Sequence, residues 1–146
     1  MTVVEMQVRS KVEALLKDFL GHWEMDDDHD YVVRNESAVV FIRVASSSSG
    51  DTCMVNIFSP VATQIPNMKQ KTELAGMLLD SNAGVYFCKF GWREVSNGGM
   101  VVCEQAILGS SLDKDSFNMA LSAVATRANE IDDEIVARFG GKRWID

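Results

Sequence analysis

SAVVFIRVA (residues 37–45), SSSSGD (46–51) and TCMVNIFS (52–59) follow one another without interruption, and their reading decides the class of fold. The outer segments are rich in β-branched and aromatic residues, which favour a pleated, half-buried surface. The polar run between them contains a glycine and is long enough to reverse the chain, so the whole reads as a β-hairpin. A second hairpin follows downstream. VYFCKFGWREV (85–95) and MVVCEQAIL (100–108) flank Ser96, Asn97, Gly98 and Gly99, a strong turn signal.

Working outward, Asp30 to Asn35 forms a short strand in which Tyr31 and Val33 alternate with other residues, and Asn35, Glu36 and Ser37 turn it into the first hairpin. Glu24 to Asp30 has no apolar period and reads as a solvated polar connection. Before it, Val4, Val8, Val12, Leu15, Leu16, Phe19 and Leu20 recur at three- and four-residue steps, which predicts a helix stopped at Gly21. Pro60 and Pro66 are expected to end the 52–59 strand. Asn67 to Ser81 reads as a second helix, closed by Asn82, Ala83 and Gly84. A third runs from Asp113, a candidate N-cap, to Phe139, with Gly140 and Gly141 as terminators. Its phase buries Phe117, Leu121, Val124, Ile131 and Ile135 and leaves Arg127, Glu130, Asp133 and Glu134 in water.

The resulting order, α-β-β-β-α-β-β-α, predicts an α+β fold over one domain, residues 1–146, with a mostly antiparallel five-stranded sheet. Neither strand of the second hairpin has a clean polar face. Either the second face is covered within the chain or it meets a partner.

Composition narrows the function. The 146 residues are 47% hydrophobic and 24% charged, with a formal charge of −7, which argues against nucleic-acid binding because phosphate contacts need surplus Lys and Arg. No apolar run reaches membrane-span length and the first residues lack a signal-peptide pattern, so the reading is cytoplasmic, with no membrane partner. Cys53, Cys88 and Cys103 have no CxxC spacing and read as buried structural thiols. Counted from Asp26, the acidic run has Tyr31 and Ser37 where an EF-hand needs glycine and glutamate, so no metal site is expected. His22 and His29 accompany no nucleophile motif, and phosphate-cradling glycine patterns are absent, so no catalytic residue or cofactor is assigned.

The stretch ATRANEIDDEIVARFGG (125–141), with Asp132 and Asp133 ahead of Phe139, Gly140 and Gly141, resembles the YbjN-like and type III secretion chaperone-like group. LAGMLLDSNAGVYFCKFGW (74–92) is similar to that group's helix, Asn-containing turn and Phe-Gly-bearing strand. In the N-terminal half the resemblance lies in element order. It implies a non-enzymatic chaperone-like module that binds a protein or peptide and pairs as a homodimer. The methionines and aromatics of the central region suit such a surface. Phe87, Phe90, Trp92 and Met100 are the expected peptide-binding residues, and Met68, Leu74 and Met77 (or the Val85–Leu108 hairpin) the expected dimer contact. The alternative is a regulatory or small-molecule-sensing domain with a pocket between the sheet and the C-terminal helix.

Overall fold

The computed structural model describes residues 1–66 and 70–146. Helix α1 (Val3–Phe19) starts where Thr2 Oγ1 accepts the Glu5 N–H at 3.1 Å, and buries Val8, Val12 and Leu16 at four-residue steps. Five strands follow the expected course with shifted ends: β2 (Tyr31–Asn35), β3 (Ala38–Ser46), β4 (Cys53–Ile65), β5 (Lys89–Val95) and β6 (Gly98–Leu108). A sixth, β1 (Glu24–Met25), pairs with β2. The sheet order is β1-β2-β3-β4-β6-β5 and every pairing is antiparallel. Among the described residues the five strands expected are therefore six. Strand β1 is two exposed residues held by backbone pairing, so it leaves no mark on side-chain periodicity.

The first hairpin has the register its sequence implies, Ser46 opposite Cys53 and Phe41 opposite Phe58. Strand β4, however, runs through Pro60 to Ile65 instead of stopping. The β3 ladder ends at Phe41–Phe58, and past that point β4 pairs with β6 through two register shifts. Proline is tolerated there because a missing N–H costs little where no neighbour would accept it.

Helix α2 (Lys71–Asn82) packs on β5 through Leu74 and Leu78. Its start lies later than expected, and Met68 falls outside the described residues. Helix α3 (Lys114–Phe139) opens with a capping box between Asp113 and Ser116 and lies across β3, β4 and β6, with α1 beside it. Its helical phase is the one the sequence predicts, with Phe117, Leu121, Val124, Ile131 and Ile135 buried and Glu130, Asp133 and Glu134 exposed. Arg127 is half-buried, donating to the Ser81 carbonyl at 2.7 Å with its guanidinium over the Phe90 ring. Asp132 is buried too. It accepts the Ser37 hydroxyl at 2.6 Å and so ties α3 to the start of β3.

The strand expected from Val85 begins only at Lys89. Cys88 has a φ of 68°, which breaks an extended run, and Phe90 exchanges two hydrogen bonds with the Asn82 carboxamide. All three cysteines are buried and free. The neighbouring Cys88 sulfur, and then burial, hold the Cys103 thiol well above its ordinary range, as suits a packing residue.

Gly140 and Gly141 do more than end α3. Both have positive φ, and they turn the tail so that Lys142 exchanges two backbone hydrogen bonds with Thr63 of β4. A Cβ on Gly141 would meet the Thr63 carbonyl oxygen at 2.4 Å. Gly141→Ala should therefore release the tail and cost about 1–3 kcal/mol, read as a lower urea midpoint and faster C-terminal proteolysis. A variant as stable and resistant as the parent would contradict this role.

Candidate functional site

Strand alternation divides the sheet into unlike faces. Tyr31, Val40, Ile42, Val55, Ile57, Val101 and Cys103 point towards the helices and are fully buried among them. The space between the sheet and α3 is thus filled by core side chains. Among the described residues the opposite face carries no helix, yet it is not polar. Val32, Val39 and Val102 sit on it, each less than 7% exposed.

Two things shelter that face. One is a stack formed by Phe41 and Phe58, neighbours across the β3–β4 ladder, with ring centroids 5.4 Å apart. The other is the C-terminal tail, which passes Thr63 and sets Trp144 edge-on against Phe41 at 6.0 Å. Beside them opens a cleft of about 260 Å³, floored by Phe58 and Val102 and walled by Pro60, Met100 and Trp144. Trp144 itself remains 46% exposed.

Charge is arranged around this apolar floor. Asp30 is 2% exposed and takes a forked contact from Arg43, whose Nε and Nη2 lie 2.6–3.0 Å from its two oxygens. The Asp30 hydrogen bond raises the Arg43 pKa further, and the same guanidinium lies 5.3 Å over Phe58. Residue pattern places Asp30 in a solvated loop; Arg43, thirteen residues away, is what permits its burial. Asp26 organises the loop by accepting the N–H groups of Asp28 and Asp30 at 3.0 and 2.9 Å. Glu104 accepts from Asn56 at 3.2 Å and lies 3.8 Å from Arg93.

The residues expected to bind peptide do not form one site. Met100 lines this cleft. Phe90 pairs opposite Cys103 and Trp92 opposite Val101, so both lie on the helix side. Phe90 is buried under Arg127, and the Trp92 indole covers Gly99, where a Cβ would stand 1.8 Å from the ring. Phe87 is half-buried in the loop before β5. Of the expected dimer residues, Leu74 is 1% exposed and belongs to the core, and Met77 packs against it. Residue patterns do not single out Phe41, Arg43 or Trp144, which line the cleft.

Residues 6–146 match the model of the family TY-Chap1, described as T3SS (YopN, CesT) and YbjN peptide-binding chaperone 1. The chain belongs to the TY-Chap1 family. Two solved structures share the fold. YbjN from E. coli superposes with a TM-score of 0.60 at 14% identity, over 88% of this chain and 91% of that one. A chain of the ExsC–ExsE complex gives 0.52 at 15% identity, over 91% and 96%. No curated protein matches. Membership of TY-Chap1 carries a peptide-binding chaperone role, a binding function, and fits a protein partner. Among the described residues no helix is long and apolar enough to cross a membrane.

The Asp30–Arg43 pair is the electrostatic anchor of this TY-Chap1 cleft. Arg43→Ala would strand a buried carboxylate, at a cost of about 2 kcal/mol, below the usual figure for a broken buried pair because Arg43 is itself half in solvent. Urea unfolding measures it; a loss under about 0.5 kcal/mol would place the pair with ordinary surface contacts.

Proposed function

We propose that this chain holds an extended segment of a client protein on the helix-free face of its sheet, in the cleft beside Phe41, Phe58, Met100 and Trp144. One observation carries the reading: a one-sided antiparallel sheet places its aromatic stack and an open cleft with an apolar floor on the face that ordinarily meets water. A concave, mostly apolar site with a few fixed polar groups is the form that ligand recognition takes. The family's peptide-binding role supplies the class of ligand. The client is met in the cytoplasm, and no cofactor enters.

Selection of phage-displayed random peptides against the purified chain tests this. Enriched peptides should lose about tenfold or more in affinity on Phe58→Ala or Met100→Asp, as truncation of a buried aromatic anchor does. Binding that survives both changes would move the site off this face.

The chaperone acts as a homodimer in this reading, and the contact is the outer side of α2. Leu79 is 70% exposed, and Ala75 and Gly76, one turn earlier on the same helix, add no bulk or charge. A two-fold contact would cover these apolar groups with one self-complementary patch. Light scattering at tens of micromolar should give a dimer mass that Leu79→Glu returns to monomer without changing the melting temperature of the fold. A parent that is monomeric at that concentration refutes the pairing.

A further inference from the structure

The cleft on the open face is lined by four carboxylates, Asp26, Asp28, Asp30 and Glu104, against two guanidiniums, Arg43 and Arg93. Both guanidiniums already face carboxylates, Arg43 with Asp30 and Arg93 with Glu104. Asp26 uses only Oδ1 in the loop, and Asp28 is exposed at the rim. The surplus charge is therefore negative and sits beside an aromatic floor.

Two features of the chain show what such a place accepts. Arg43 lays its guanidinium over Phe58 while forking to Asp30, so a cation between aromatic face and carboxylate is already stable here. Of the tail, Trp144 lines the cleft, so an aromatic side chain already rests at its mouth. That indole takes the aromatic wall next to Phe41, and Arg143 pairs with Asp146 and Asp133.

We infer that the client segment carries an arginine or lysine next to an aromatic or large aliphatic residue. The cation meets Asp26 and Asp28 while the apolar neighbour rests on Phe41 and Phe58. This rests on the open face being the peptide site, and adds the chemistry that selects the peptide. Rim carboxylates of this kind act on selectivity and association rate more than on total affinity. An acidic segment would face like charges and be refused.

Fluorescence anisotropy with three labelled peptides tests it: Gly-Ser-Arg-Trp-Leu-Ser-Gly, and the same frame with Arg replaced by Gln or by Glu. The Arg peptide should bind about tenfold more tightly than the Gln peptide, and the Glu peptide least. Added salt should narrow the gap. The double variant Asp26→Asn, Asp28→Asn keeps the acceptor oxygen that holds the loop, so it should fold, as circular dichroism would verify. It should bind the Arg and Gln peptides equally while leaving the Gln affinity unchanged. Phe58→Ala should weaken all three.

Equal affinity of the parent for Arg, Gln and Glu peptides, with Phe58→Ala still weakening each, overturns the basic preference and leaves the open face standing. Binding indifferent to Phe58→Ala overturns both, as does binding by none of the three together with phage-selected peptides that ignore the cleft.

Discussion

Strand β4 is the element on which the other parts depend, because its backbone must be satisfied on both edges at once. Up to Phe58 it is paired with β3 on one side and β6 on the other. Beyond Phe58 the β3 ladder is gone. Pro60 removes a donor at the start of this gap, and Thr63 further along is met by the tail at Lys142. That bridge is possible only because Gly140 and Gly141 turn α3 back over the end of the sheet. The tail then reaches the helix-free face and places Trp144 on Phe41. The cleft is thus a consequence of how one strand completes its hydrogen bonding.

Much of this was legible in residue patterns. The loop between residues 46 and 53 fixes the register of the first hairpin, and with it the meeting of Phe41 and Phe58. The four- and three-residue spacing of Phe117, Leu121, Val124 and Ile131 fixes the buried side of α3. What escaped lacks a local signature. Strand β1 is two exposed residues held to β2 by backbone pairing and an exposed Glu24–Arg34 ion pair. The burial of Asp30 and Asp132 depends on Arg43 and Ser37, the latter ninety-five residues away, so each carboxylate reads as solvated among its sequence neighbours.

The site was less legible for a different reason. Aromatic content identifies a surface-forming region but not a face. Strand parity separates Met100 from Phe90 and Trp92, since residues opposite one another in a hairpin share a side and Met100 stands opposite Arg93. Considering the four together by composition merged two faces of the sheet. Trp144 lay outside every predicted element, and only the tertiary path of the tail brings it to Phe41.

The edges of the sheet bear on how a peptide could be held. Strand β1 is two residues long and offers little ladder to a newcomer. On the β5 edge, the Asn82 carboxamide occupies the outward N–H and C=O of Phe90 at 2.7 and 3.0 Å, and Lys89 and Arg93 flank it with charge. Strand addition brings affinity from backbone bonds that any sequence can make, whereas a face offers only side chains. A peptide lying on the open face would have its selectivity set by the shape of the aromatic floor and the sign of the charges around it. In this chain that floor is the Phe41–Phe58 stack, and the sign is negative.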